Sequence, residues 1–286
     1  MKTRRGLFYS AGAMLLIAPP AIWFVSSFDA HLARSVSAPA ASPAKPARDF
    51  TPERAELAAL AERDPMELVR RGIERYDREV RAYRCVFIKQ ELLPDGISEV
   101  QEIEVRYRES PRTVYMLWLK NADQARRALY ADSPEYVDKN GQKVARVEPA
   151  GAIARLFVSD VKVLVDGAEA KKSSRRGIDE FGFRAAYDLL MKYNTLAAER
   201  GVLDLKYGGT GEIDARPTFK LIRNLPYVGP AGAYPDARMV LHIDQEWLLP
   251  VAIYSYADAA ERELLGSYVY TKVELNPPFT EADFTF

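Results

Sequence analysis

Apolar residues recur at every second position in part of the chain, which is the period of a β-strand with one buried face. In the segment 97–108, Ile103, Val105 and Tyr107 alternate with charged residues. A Pro-Asp-Gly turn at 94–96 precedes it, where proline fixes φ and glycine supplies a positive φ. One face is therefore buried and the other meets water, which is typical of an antiparallel sheet.

The same reasoning applied along the chain predicts a large sheet. Two glycine-containing stretches, at 140–141 and 208–211, are interpreted as hairpin turns or loops. The Pro/Gly/Tyr-rich stretch 226–235 is predicted to be a loop. Strands are predicted at 83–93, 97–108, 113–119, 127–131, 135–139, 142–148, 153–165, 202–207, 213–225, 238–244, 249–256 and 263–275.

Three helices are predicted to accompany the strands. Thr51-Pro52 and Asp64-Pro65 each place a capping residue before a proline, which is typical of a helix start. They introduce helices at 51–63 and 66–80. A third helix is predicted at 178–199, with a face that lies against the sheet and comprises Gly182, Ala186, Leu189, Leu190, Tyr193, Leu196 and Ala197. The combination predicts an α+β domain with a large, curved antiparallel sheet.

The segment 113–119 differs from the other strands because both of its faces are apolar. Such a strand is expected to be covered on both sides. Its residues Val114, Met116 and Trp118, with Tyr107 of the preceding strand, are the candidate residues for binding an apolar ligand.

The N-terminus has the pattern of an export signal. Lys2, Arg4 and Arg5 precede an uncharged apolar run at 7–25, and small residues and prolines follow. The paired arginines leave the Sec and twin-arginine routes both open. The run is nearly long enough to remain as an uncleaved membrane anchor.

These features divide the chain into three parts. We expect an export signal or anchor at 1–30, an Ala/Pro-rich linker at 31–48 and a single domain at 49–286. The domain is therefore predicted to lie in the periplasm, exported or anchored to the inner membrane.

The composition indicates neither a nucleic-acid-binding protein nor a metal or catalytic site. The 40 basic and 40 acidic residues balance, so no nucleic-acid partner is predicted. His31 and His242 are the only histidines and Cys85 the only cysteine, too few for a zinc site. Cys85 is expected to be a buried thiol and His242 a surface or edge residue. We predict no catalytic residue, metal or cofactor, and no enzymatic activity.

Several segments together resemble an uncharacterised bacterial envelope family, domain of unknown function family 1571. Gly177 stands where that family's pattern has a proline. The matching segments are 64–66, 83–91, 103–111, 114–119 and 174–178.

The C-terminal half is more weakly similar to the LolA/LolB lipoprotein carriers, in the segments 241–244, 249–253 and 270–276 and at Phe284. This resemblance implies a bent sheet forming a half-barrel, with the helices on its concave face. It also implies an apolar hollow that holds acyl chains.

The sequence therefore predicts a non-enzymatic periplasmic protein that binds a lipid, a lipoprotein acyl chain or another apolar envelope molecule. The alternative is an envelope scaffold that binds a protein partner through the sheet, with no ligand cavity. Arg175 and Arg176, just ahead of the third helix, are candidates for holding an anionic head group at the helix start. Pairing of these arginines with Asp179, Glu180 or a strand carboxylate is the other possibility.

Overall fold

The computed structural model describes residues 51–151 and 159–286, all within one compact unit. The predicted signal or anchor at 1–30 and the linker at 31–48 lie outside the described residues. So does 153–158, the first part of one predicted strand. The three-part division of the chain and the export of the domain stay predictions.

The described residues form one open antiparallel sheet of 12 strands. Its order is β7-β6-β5-β4-β3-β1-β12-β11-β10-β9-β8, and β2 pairs only with β1. The edge strands β7 and β8 do not pair with each other, so the sheet curves without closing. The strands are β1 Ala82–Leu93, β2 Gly96–Ile97, β3 Gln101–Glu109, β4 Arg112–Lys120, β5 Ala125–Ala131, β6 Val144–Pro149, β7 Val161–Leu164, β8 Asp204–Ile213, β9 Arg216–Asn224, β10 Arg238–Asp244, β11 Pro250–Tyr256 and β12 Leu264–Leu275.

Four α-helices pack with this sheet in the described part of the chain. Asp64 caps α2 as predicted, because its side chain accepts a hydrogen bond from the backbone N–H of Glu67 at 3.0 Å. The helices are α1 Thr51–Arg63, α2 Pro65–Glu79, α3 Ala168–Ser173 and α4 Phe183–Glu199. The predicted α+β class and its curved antiparallel sheet are confirmed.

The core lies between the concave face of the sheet and the helices. Ile103, Val105 and Tyr107 of β3 are all buried there, as their spacing predicts. Leu68 and Tyr187 bring α2 and α4 onto the β9–β10 half of the sheet. The helices therefore cover the face that the strand pattern marks as apolar.

Strand β4 is covered on both sides, as its two apolar faces predict. Val114 and Met116 belong to the core on the concave face. Tyr115 and Leu117 face the other way and pack into a cluster with Phe279, Phe284 and Phe286 of the C-terminal segment.

One predicted strand and one predicted loop are wrong. Residues 135–139 do not form a strand, because Pro134 instead begins a short 3-10 helix, Pro134–Tyr136. Residues 208–211 are not a hairpin loop but lie inside β8. The register of β8 shifts there between Tyr207 and Thr210, at a bulge where Gly209 adopts a φ of +92°.

The start of the third predicted helix is also wrong. Residues Ile178–Glu180 form a separate 3-10 helix, and α4 begins only at Phe183. Gly182, between them, has a φ of +122°, which breaks the right-handed helix. The short helix α3 was not predicted, and its last turn carries Lys171 and Lys172.

Cys85 is buried as predicted, and burial raises the pKa of its thiol. His242 is half-buried rather than at an edge, since β10 lies between β9 and β11. Its Nδ1 lies 2.9 Å from the hydroxyl oxygen of Thr218.

Candidate ligand-binding cavity

A cavity of about 650 Å³ lies between the concave face of the sheet and α4. Its size is in the range of known small-molecule sites, about 300–1,000 Å³. The sheet contributes mainly apolar and aromatic side chains to its wall. Examples are Phe87, Met116, Trp118, Leu241, Tyr268 and Tyr270.

Helix α4 forms the opposite wall with small and aliphatic residues. Ala185, Ala186 and Leu189 line the cavity and are only half-buried. The fully packed face of α4 is a neighbouring stripe that includes Phe183 and Tyr187. The face predicted from sequence therefore mixes core residues with cavity residues.

The cavity is lined by four of the six candidate binding residues. These are Met116, Trp118, Arg175 and Arg176. Val114 does not reach it, because its side chain is fully packed in the core. Tyr107 is also away from the lining and stacks on Tyr83, with ring centroids 4.7 Å apart.

The two arginines do not sit at a helix start. They follow α3 and precede α4 by several residues, because α4 begins later than predicted. Arg176 pairs with Glu180 at 3.8 Å, while Asp179 pairs with Lys143 at 2.9 Å. Arg175 is exposed and lines the cavity, and its Nη1 donates to the carbonyl oxygen of Leu265 at 2.8 Å.

One corner of the cavity wall is polar and centres on Glu91, which is 1% exposed. The ammonium of Lys89 donates to its Oε2 at 2.9 Å and to the carbonyl oxygen of Ser173 at 3.1 Å. The hydroxyl of Tyr268 and the backbone N–H of Arg175 donate to Oε1 at 2.8 and 3.3 Å. We call these residues the Glu91 corner.

Burial alone would raise the pKa of the Glu91 carboxyl. The adjacent Lys89 ammonium and the hydrogen bonds from Lys89, Tyr268 and Arg175 outweigh burial, so that pKa lies below its ordinary value of 4.5. Glu91 is therefore a carboxylate at neutral pH, and the corner contains a formed ion pair.

The lowered pKa of Glu91 predicts a pH-dependent contribution to stability. Because the folded-state pKa is lowered, the contribution is fully present above the ordinary value of 4.5 and is lost as the pH falls through the lowered value. We expect Glu91→Gln to reduce the free energy of unfolding at pH 7, and the difference from wild type to shrink in acid. Urea unfolding of both proteins across this range measures it, and a difference that does not change with pH would contradict it.

A second polar group lies in the wall at Arg223 and Asp236. Their side chains are only 2% and 4% exposed. The Nη2 of Arg223 donates to both carboxylate oxygens of Asp236 at 3.0 Å, and its Nη1 donates to the side-chain oxygen of Asn194 at 3.0 Å. The pair joins β9 to the loop before β10.

Both polar groups were missed in the sequence analysis, although the alternation of inward and outward residues along the strands indicates them. Lys89 and Glu91 continue the inward positions of Cys85 and Phe87 at a spacing of two. Arg223 likewise continues the buried positions of β9. A charged residue at an inward position of a strand needs a buried partner, so these positions predict buried ion pairs.

No group of three or more histidine, cysteine, aspartate or glutamate residues able to hold a metal occurs within 51–151 and 159–286. Among the helices that the structure describes, none is long and apolar enough to cross a membrane.

A family model described as "Protein of unknown function (DUF1571)" matches residues 80–286, which confirms the family resemblance found in the sequence. No curated protein matches the chain.

Several solved structures are distantly similar. The Pseudomonas aeruginosa MucA/MucB complex matches at 14% identity and a TM-score of 0.44, covering 77% of this chain and 60% of that one. The chain thus spans less than two thirds of the MucB-type chain. The Mycobacterium tuberculosis lipoprotein LppX matches at 13% identity and a TM-score of 0.40, covering 76% and 98%. A LolA superfamily protein of Nitrosomonas europaea matches at 10% identity and a TM-score of 0.32, covering 76% and 97%.

Proposed function

Since the chain belongs to the DUF1571 family, whose description assigns no function, we propose its function from its own cavity. It is a non-enzymatic protein of the bacterial periplasm that binds a lipid, a lipoprotein acyl chain or another apolar envelope molecule. The periplasmic location rests on the signal-like residues at 1–30.

The observation that carries the proposal is the apolar cavity of about 650 Å³. Aromatic and aliphatic side chains on the sheet face small residues on α4 across it. Each methylene group moved from water into such a site gains about 0.8 kcal/mol. A long acyl chain therefore gains on the order of 10 kcal/mol, comparable to its gain in a bilayer, so the protein can exchange it without driving chemistry.

The alternative function, a scaffold that binds a protein partner through the sheet, predicts a filled core. The cavity favours the ligand-binding proposal over the scaffold. Val114, Met116, Trp118 and Tyr107 remain the proposed apolar site, with Met116 and Trp118 as wall residues and the other two as the layer behind them.

Filling the cavity tests this function. Ala186→Trp places an indole in the space between α4 and the sheet, because Ala186 lines the cavity. Ala198→Trp is the matched control, since Ala198 is exposed on the same helix. We expect wild type to bind an apolar fluorophore that fatty acids displace. Ala186→Trp should weaken that binding about tenfold or more, since excluding two methylenes costs about 1.6 kcal/mol, while the control stays at the wild-type level.

Thermal unfolding of each variant establishes that it is folded before its binding is compared. If the folded wild-type protein shows no displaceable binding, or if both tryptophan variants bind as wild type does, the ligand-binding proposal is wrong.

A further inference from the structure

We propose that the cavity ligand is an amphiphile with a single negative charge, and that Arg175 and Lys89 hold its anionic group at the Glu91 corner. The inference rests on the proposed function and specifies the ligand class. The shared chemistry is a carboxylate or phosphodiester group joined to an apolar chain.

The Glu91 corner contains more positive than negative charge. Lys89 and Arg175 are both at the corner, while Glu91 is its one carboxylate in the part of the chain that the structure describes. Both oxygens of Glu91 are already engaged by Lys89, Tyr268 and the Arg175 backbone. Glu91 therefore compensates one of the two cations, and one positive charge is left at the cavity wall.

Arg175 is the cation that lacks a carboxylate partner. Among residues 51–151 and 159–286 its guanidinium forms no ion pair, and a guanidinium has five N–H donors. One of its nitrogens donates to the Leu265 carbonyl oxygen, which leaves donors for a ligand. By contrast, Arg176 and Lys143 are paired with Glu180 and Asp179.

Lys89 adds a second donor to the same corner. Its ammonium has three N–H donors and gives two of them, to Glu91 and to Ser173. Lys89 lines the cavity and is 7% exposed, so the donor that remains is largely shielded from water. An anion placed between Lys89 and Arg175 would accept from both groups.

The surroundings favour an anion over a neutral group. The buried Lys89 ammonium and the exposed Arg175 guanidinium both form charge-assisted hydrogen bonds, which are stronger with an anionic acceptor than with a neutral one. A single negative charge restores neutrality at the corner, whereas a doubly charged group would leave one negative charge in excess. The apolar walls beside the corner then accommodate the chain.

The test compares ligands that share one chain and differ in the polar end. Palmitate, hexadecanol and palmitoyl lysophosphatidylglycerol are titrated into the full chain by displacement of an apolar fluorophore. We expect the wild type to bind at least one of the two anions tenfold or more tightly than hexadecanol. The anion that shows the preference identifies a carboxylate or a phosphodiester source.

Arg175→Gln should remove that preference and leave hexadecanol binding within about twofold of wild type. Lys172→Gln is the matched control and should keep the preference, because Lys172 is outside the cavity lining and pairs with Glu169 at 2.8 Å. Arg175→Lys retains the positive charge and should recover part of the preference for the anionic ligand. Raising the salt concentration should weaken the preference, because Arg175 is exposed and salt screens its charge.

The outcomes separate this inference from the proposed function. If wild type binds none of the three ligands, the proposed function fails. If it binds hexadecanol as tightly as both anions, the anionic-ligand inference fails and the proposed function stands. This comparison needs only the wild-type protein, so it decides the matter even if Arg175→Gln does not fold.

Discussion

Replacing Asp236 by alanine is expected to lower the free energy of unfolding by about 3–5 kcal/mol. Arg223 and Asp236 are 2% and 4% exposed, and the guanidinium donates to both carboxylate oxygens at 3.0 Å. Removing the carboxylate leaves Arg223 charged in the interior without a counter-charge, and among the residues that the structure describes the side-chain oxygen of Asn194 is its remaining side-chain acceptor. Urea unfolding at neutral pH measures the loss.

Two further variants show that the loss comes from the unpaired charge. Glu102→Gln removes a carboxylate from an exposed pair with Lys120, at 3.4 Å, and should cost less than about 1 kcal/mol. The double replacement Arg223→Met with Asp236→Leu removes both charges and should recover most of the stability lost in Asp236→Ala.

A small loss for Asp236→Ala, similar to that for Glu102→Gln, would mean that water or another group reaches Arg223. The polar wall of the cavity would then be more open than its burial indicates. Binding of hexadecanol by the folded variant shows whether the adjoining apolar wall persists.

The sheet could be predicted from the sequence because alternation is a local property of each strand. The spacing of Ile103, Val105 and Tyr107 sets their common face, and no other part of the chain is needed to infer it. The helix start at Asp64 was predicted for a similar reason, since capping depends on residues within one turn.

The start of α4 could not be predicted in the same way. The segment from Ile178 contains residues compatible with a helix, but Gly182 takes a positive φ next to the rings of Tyr83 and Tyr107. An added Cβ at Gly182 would lie 3.0 Å from the Tyr83 hydroxyl oxygen and 3.1 Å from the Tyr107 ring. The break therefore depends on packing between distant segments, which local propensity does not contain.

Only part of the cavity could be inferred from sequence. The doubly apolar strand indicated Met116 and Trp118, because apolar residues on both faces require cover on both faces. The pairing of Arg223 with Asp236 could not be inferred, because Asp236 lies in a loop and sequence periodicity does not predict the path of a loop. The alternation of β9 predicts that Arg223 lies on the buried face of the sheet. Its carboxylate partner becomes known only from the folded structure.

Phe183→Ala is expected to lower the free energy of unfolding by about 3–5 kcal/mol, the range for removing a fully buried phenylalanine. Phe183 is 0% exposed at the first turn of α4. Its ring centroid lies 4.6 Å from that of Tyr83 and 4.5 Å from that of Tyr270, so the ring fixes the helix start to β1 and β12. Chemical denaturation of the variant measures the loss.

The control for Phe183→Ala removes the same ring from a less buried place. Phe286 is half-buried on the outer side of the sheet, with the guanidinium groups of Arg127 and Arg146 at 5.0 and 5.1 Å from its ring. Phe286→Ala should cost clearly less, because less apolar surface returns to water and no closed space is left behind. Equal losses for the two variants would contradict the role of Phe183 in fixing α4. A larger loss at Phe183, together with weaker binding of hexadecanol by the folded variant, would indicate that the start of α4 determines the shape of the cavity wall.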